Sequence, residues 1–285
     1  MEQHLILGIM AALFGLVFGS FLNVCITRLP QGESIAAPRS HCRSCQHMIA
    51  WYDNLPVLSF LLLRGRCRHC QASIPWRYPL VEILTAAWFV TAALYGGTSW
   101  ATVKWCVFGF AVLDLAISDL ETRWLPDAVT LGGWIAGLAL AVVAPPPSGF
   151  LSLLLEVTGL APLTTARASW LPGFAEALIA SLLAAFLLWF IGWSYKWINR
   201  VALSREIDPL GEGDPLMLGL LAAFLGFEGV ILALLIAGLS GTVLGVAWLR
   251  WKGEDASSYA LPLGLFLGVG GLAIACAQMA GWLRF

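Results

Sequence analysis

The feature that most constrains this sequence is a succession of long, unbroken apolar runs. The first, "LILGIMAALFGLVFGSFLNVCI", holds no charged residue. A helix needs about 20 apolar residues to cross a bilayer. Runs of that kind recur at 5–26, 79–95, 100–118, 127–144, 173–194, 214–227, 229–249 and 259–282. They are continuous rather than alternating, which argues against a membrane barrel. The expected fold is therefore all-α and polytopic, with about eight transmembrane helices. Composition agrees: 59% of residues are hydrophobic and 12% charged, where a soluble domain is roughly half apolar and a quarter charged. The first run is too long for the core of a cleavable signal and has no basic segment before it, so it reads as a retained span. The sixth run is short and reads as broken or partly buried. With the seventh it can also be parsed as one element interrupted around Gly226 and Gly229.

Basic residues set the orientation, because they collect on the cytoplasmic side of membrane proteins. With eight spans, 13 of the 16 Lys and Arg residues fall on one side: seven arginines between 27 and 78, then Arg123, then Lys196, Arg200 and Arg205, then Arg250 and Lys252. The loop 27–78 and the segments "SDLETRWLPD" and "LGEGD" are then cytoplasmic, and both chain ends face outward. The chain divides into a first helix (1–26), a small cytoplasmic domain (27–78) and a membrane domain (79–285). An outer insertion at 145–172 opens with "APPPSG", whose prolines cannot continue a helix. Its apolar run "FLSLLLEVTGLA" is too short to span and reads as lying along the outer interface. No internal repeat stands out. The basic residues are too scattered to form a nucleic-acid surface.

The loop carries "HCRSCQ" and "RCRHCQ", a pair of Cys-x2-Cys turns formed by Cys42, Cys45, Cys67 and Cys70. Each such turn can place two thiolates on one cation, and two turns complete a tetrahedral four-sulfur shell. Zinc is the expected metal in a reducing compartment, in a structural role, because four thiolates leave no open position. A disulfide pair and free thiols are the other readings, the former rare in the cytoplasm. His41, His47 and His69 flank the turns and can substitute as ligands. Cys25, Cys106 and Cys276 lie in apolar runs and read as packing residues. The segment "NLPVLSFLLLRG" (54–65) reads as an amphipathic or core piece that packs the loop onto the bilayer surface.

Acidic groups inside or at the ends of spans point to function, because ionisable groups are costly in hydrocarbon. Asp119 ends the third span and Asp214 begins the sixth, both at the cytoplasmic edge by the orientation above. Two converging carboxylates share a proton more readily than both ionise. One can then deprotonate water while the other protonates a peptide carbonyl. Gly211 and Gly213 permit positive φ and a close backbone approach, which suits a substrate strand lying beside Asp214. Pro215 fits a helical first turn. Asp214 also reads as a simple helix N-cap, and Asp127 as an N-cap or first-turn acid. Asp114 reads as a secondary polar contact. Glu82 and Glu176 need partners, and Arg77 is a candidate for Glu82.

Taken in order, "FGSFLNVCITRLP", the two Cys-x2-Cys turns, "IPWRYPLVEILTA", "SDLETRWLPD" and "GEGD" resemble the type IV prepilin peptidase family, the prepilin leader peptidase and N-methyltransferase. The resemblance implies a bifunctional enzyme of the bacterial inner membrane. Such an enzyme cleaves the basic leader of type IV prepilins, or of type II secretion pseudopilins, at the cytoplasmic face. It then methylates the new amino terminus with S-adenosylmethionine. The family's aspartyl-protease pair falls on Asp119 and Asp214. The family usually follows the second aspartate with an apolar residue and then Lys, where this chain has Pro215 and Leu216. Partners implied are a prepilin or pseudopilin helix and membrane lipid. Glu121, Glu206, Asp208 and Glu212 lie on the same side and can attract a basic leader. No Gly-x-Gly-x-x-Gly follows a strand, so by elimination the methyl-transfer site is placed at 27–78 and its junction with the membrane. A proton-coupled transporter using Asp114, Asp119 and Asp214 is the first alternative and leaves the cysteines unexplained. A zinc-bearing scaffold is the second and leaves the aspartates unexplained.

Overall fold

The computed structural model describes residues 2–147, 157, 171–203, 211–252 and 262–283. Glu206, Asp208 and most of the outer insertion lie outside the described residues. Their regular secondary structure is helical apart from two isolated β-bridges, and most of 32–76 is turn or irregular chain. The helices are α1 (Glu2–Arg28), α2 (Leu58–Leu62), α3 (Arg77–Gly96), α4 (Trp100–Thr122), α5 (Asp127–Ala141), α6 (Leu171–Leu203), α7 (Gly213–Lys252) and α8 (Leu263–Met279). Five of them, α1, α3, α4, α6 and α7, are long and apolar enough to cross a membrane, while α5 and α8 are shorter apolar helices. Where the sequence suggests eight spans, α7 holds the sixth and seventh in one element. The chain forms two compact units, Met1–Asp114 and Leu115–Phe285. The boundaries read at 26 and 78 rest on a different criterion, where the chain leaves and re-enters the apolar layer.

In the first unit, α1 and α3 are packed antiparallel along a seam of small residues. A Cβ on Gly15 would lie 2.5 Å from the Cα of Ala86, and one on Gly19 would lie 2.6 Å from that of Glu82. The two glycines, four apart in "GLVFG", let backbones meet as in other close membrane-helix pairs. At one end of the seam Asn23 donates to the Tyr78 carbonyl at 3.0 Å, and Arg77 donates to Thr27 at 2.9 Å. The base of the 27–78 loop is thus closed by hydrogen bonds between the helices it connects. Arg77 also lies over the Tyr78 ring. The expected pairing of Arg77 with Glu82 gives way to a different one: the Glu82 carboxylate accepts the Val57 N–H at 2.7 Å and is bonded by Ser20.

Between these helices lie two knuckles of matching construction. In the first, Cys42 N–H donates to the His47 carbonyl and Gln46 N–H to the Cys42 carbonyl. In the second, Cys67 and Gln71 repeat the pattern with Ala72 and Cys67. Gln46 and Gln71 both adopt positive φ, at 58° and 59°, and both side-chain amides reach back to a carbonyl within the turn. The local repeat "Cys-x2-Cys-Gln" seen in the sequence is thus a structural one as well.

In the second unit the organising element is α7. At 40 residues a straight helix would run about 60 Å, twice the hydrocarbon thickness of about 30 Å. It does not run straight. Gly226 has φ 76° and ψ −179°, and the chain reverses there. Before it, Gly213 and Gly264 both press on Leu125, and the Leu225 carbonyl is bonded by Gln278, so residues 213–225 run alongside α8 in the same direction. After it, Gly229 meets Gln278, Ala233 meets Gly270 and Gly241 meets Phe266, an antiparallel order. Residues 217 to 225 carry fully buried side chains at every non-glycine position. That is why this stretch is apolar on all faces. Alongside it, Gly137 of α5 leaves room for Phe224, and Gly219 leaves room for Trp134. Gln278 supplies the donor that the break at Gly226 removes from Leu225. Because the conformation of Gly226 is essentially restricted to glycine, Gly226→Ala is expected to cost about 1–3 kcal/mol. The measurement is thermal unfolding of the detergent-solubilised protein, and an unchanged midpoint would show that the reversal tolerates a side chain.

Candidate active site and metal centre

Asp119 sits in the last turn of α4, and the helix ends three residues later at Thr122. Arg123 follows in positive φ, at 58°, with its N–H bonded to the Asp119 carbonyl, as in left-handed helix terminations. The chain then turns through Leu125 and Pro126 into α5, where Asp127 is an exposed first-turn acid. Its place at the positive end of that helix accounts for it. Leu125 is buried, wedged between two glycines. A Cβ on Gly213 would lie 2.8 Å from it, and one on Gly264 would lie 3.0 Å from it.

This wedge brings the two aspartates to one junction. Asp214 is the second residue of α7, next to Gly213, and Asp119 lies against Gly264. Both side chains are buried, and their carboxyls interact electrostatically. Oδ2 of Asp119 accepts the Leu265 N–H at 3.0 Å, and Oδ2 of Asp214 accepts the Gly211 N–H at 2.9 Å. Each carboxylate is therefore aimed by a backbone donor at a helix start. The Asp214 N–H in turn donates to the Gly211 carbonyl at 3.2 Å. Asp214 is thus not an N-cap, whose side chain would accept an N–H further along the helix; it lies inside α7 and reaches back to the Gly211 N–H, as the later residue of a capping box does, alongside the pairing.

Gly211 and Gly213 behave differently from the expectation based on positive φ. Among the described residues neither is among the left-handed glycines. What Gly213 provides is close approach to Leu125, and what Gly211 provides is an N–H for Asp214. Asp114, also expected as a polar contact, is fully buried with neither carboxylate oxygen hydrogen-bonded, and it interacts electrostatically with Cys25.

In the loop the four predicted thiols converge. The sulfurs of Cys42, Cys45, Cys67 and Cys70 all lie within 4.8 Å of one another, with Cys42 and Cys70 at 3.8 Å. A tetrahedral shell with metal–sulfur bonds of about 2.3 Å has sulfurs about 3.8 Å apart, so the four residues fit such an ion. All four are free thiols in this arrangement. No histidine joins the cluster among the described residues: His47 and His69 stack on each other, with ring centroids 3.5 Å apart. The backbone N–H groups of the first knuckle, that of Cys45 foremost, draw the Cys42 thiol down to about 6, while the Cys70 thiol of the same cluster is pushed up to about 11, so one sulfur holds the negative charge at its neighbours' expense. Arg68 makes a two-pronged bond to Asp53 at 2.6 and 2.7 Å and holds that carboxyl below its ordinary range. The pair ties the second knuckle to the turn at 51–54.

Residues 13–95 match the family model described as the bacterial peptidase A24 N-terminal domain, and residues 106–246 match that of the type IV leader peptidase family. The chain belongs to the type IV leader peptidase family. Relatives in that family include a prepilin leader peptidase/N-methyltransferase of Burkholderia pseudomallei, 34% identical over 92% of this chain and 83% of its own length. A type 4 prepilin-like proteins leader peptide-processing enzyme of Escherichia coli is 34% identical over 93% of this chain and 92% of its own. Another prepilin leader peptidase/N-methyltransferase, from Myxococcus xanthus, is 34% identical over 84% of this chain, and the match spans 62% of that protein. No solved structure matches the chain.

Gly264 and the Leu265 amide are the site components that the sequence reading missed. "LPLGLFLG" resembles any apolar helix start, and its proline and glycine are the only local cue. Gly264→Val places two methyl groups where Asp119 and Leu125 now sit. It is expected to lower the family's peptidase turnover by about 10²-fold through misplacement of one carboxylate, with helical content unchanged by circular dichroism. Wild-type turnover in that variant would show that the junction is not tight.

Proposed function

We propose that the chain is a membrane aspartyl endopeptidase that removes the leader of type IV prepilins or type II secretion pseudopilins and methylates the amino terminus so exposed. The observation that carries the reading is the convergence of Asp119 and Asp214 on one junction, each with one oxygen held by a backbone N–H. The names of the relatives point the same way and leave the transporter reading without support.

In the proposed chemistry the free oxygens of the dyad face one water. One carboxylate takes a proton from that water as its oxygen bonds to the peptide carbonyl carbon. The other carboxyl, protonated beforehand, gives its proton to the carbonyl oxygen. Collapse of the tetrahedral intermediate breaks the C–N bond: the proton just taken up passes to the departing amine, and a hydroxyl of the intermediate returns its proton to the other carboxylate as the new carboxyl forms. The dyad returns with one proton, and no covalent enzyme intermediate forms. Gly211 and Gly213 are proposed to present the backbone along which the unwound substrate lies, next to Asp214. The basic-residue distribution supports a cytoplasmic position for the site, on the side where the basic leader resides.

The four thiols are proposed to hold structural zinc, which the sulfur spacing supports. S-adenosylmethionine supplies the methyl group, and its site is placed at the 27–78 loop and its junction with the membrane. The dyad uses no residue of that loop, so the two activities are separable by mutation.

Asp119→Asn and Asp214→Asn are each expected to abolish cleavage of a prepilin substrate while the unfolding midpoint stays near that of the parent. A normal cleavage rate in either variant removes the dyad. The reduced, unchelated protein is expected to carry stoichiometric zinc by elemental analysis, and a metal-free preparation with full loop structure would refute this. Cys42→Ser is expected to reduce methylation more than cleavage, and equal losses would place the methyl-transfer site elsewhere.

A further inference from the structure

The stretch between the two knuckles presents an apolar face that is exposed among the described residues. Phe60 of α2 points inward, with its ring against Gly65 and 4.8 Å from that of Trp76. Leu58, Leu61 and Leu62 point outward, and Leu62 is 72% exposed. Trp51 and Trp76 flank them at 72% and 75% exposure. A contiguous apolar face of this kind marks an interaction site, and the position of the segment identifies the partner.

Position is set by Glu82. It lies five residues into α3, about 7–8 Å along the helix axis from Arg77. Its carboxylate holds the Val57 N–H at 2.7 Å. The bonds from Asn23 to Tyr78 and from Arg77 to Thr27 bring the ends of α1 and α3 level. Val57 is therefore drawn alongside the body of the membrane helices and not beyond their ends. It adopts φ 58° and ψ −46°, a costly conformation for a β-branched residue that persists only when its surroundings impose it. Helix α2 begins at the next residue. Exposed Arg64 and Arg66 follow directly, with no ion pair among the described residues.

We propose that residues 55–62 are seated in the boundary between head groups and acyl chains of the bilayer, latched there by Glu82. Leu58, Leu61 and Leu62 enter the acyl layer. Trp51 and Trp76 sit at head-group level, where such rings concentrate. Arg64 and Arg66 meet anionic head groups. The depth fixed by Glu82 falls within the roughly 5–10 Å to which interfacial helices bury their apolar faces. The cysteine loop is thereby held down on the membrane surface and is not free to swing above it.

The test places a benzophenone amino acid at Leu62 and, as a control, at exposed Arg43 of the first knuckle. The full chain is reconstituted in phosphatidylethanolamine–phosphatidylglycerol vesicles and irradiated, and adducts are read by mass spectrometry. Position 62 is expected to give acyl-chain adducts severalfold above position 43, unchanged when a prepilin helix is added. In that background Glu82→Ala should lower the lipid adducts severalfold, while Glu82→Gln, which keeps an acceptor oxygen, should retain them. Lipid adducts at 62 no higher than at 43 would overturn the proposal. So would capture by position 62 of a second copy of the chain, or of the added prepilin, in place of lipid.

Discussion

The second unit depends on the burial of one short helical segment. Residues 213–225 span about 20 Å, too little to cross a bilayer alone, and their side chains are too apolar to face water. They are stable only when packed against apolar neighbours, and α5 and α8 lie along them. A helix start held in such packing is a place where a carboxylate can be kept under the surface yet satisfied, because helix starts have free N–H groups. Asp214 uses the one at Gly211, and Asp119 borrows that of Leu265 at the start of α8.

The first unit solves a different problem, that of fixing a polar loop to two apolar helices. Gly15 and Gly19 bring α1 and α3 into backbone contact. Asn23, Thr27 and Arg77 close the loop at its base, and Glu82 reaches out of the seam to Val57. Polar residues in a membrane helix are costly when left alone. Here Asn23, Arg77 and Glu82 are each matched to a backbone or side-chain group of a neighbouring segment. The cysteine cluster is built on that base from two turns with the same hydrogen-bond plan.

How much of this was legible in the sequence follows from how local each signal is. The apolar runs, the paired Cys-x2-Cys turns and the acids at span ends are local in the chain, and the structure brings the four thiols together and the two aspartates to one junction. The break in α7 was readable near Gly226, where the eight-span reading separates a sixth and a seventh span, and the partners along α8 show the reversal that such a pair requires. Glu82 was assigned to Arg77 because the two are close in sequence, whereas its partner lies 25 positions away in the chain. Gly264 carries no chemical signal of its own, and its role appears only when Asp119 and Leu125 are seen against it. The repeat of the two knuckles is visible in "CRSCQ" and "CRHCQ", yet the shared pattern resides mainly in backbone bonds.

Closure of the loop at its base has a consequence for how this half of the molecule can vary. The two ends of the 27–78 segment are brought together by helix contacts, so an ion bound by the four thiols would not have to overcome the entropy of joining them. Loss of the cysteines would then leave the α1–α3 hairpin standing and free the intervening chain to shorten or change. A sequence of the same architecture could shed the ion altogether without disturbing its membrane scaffold.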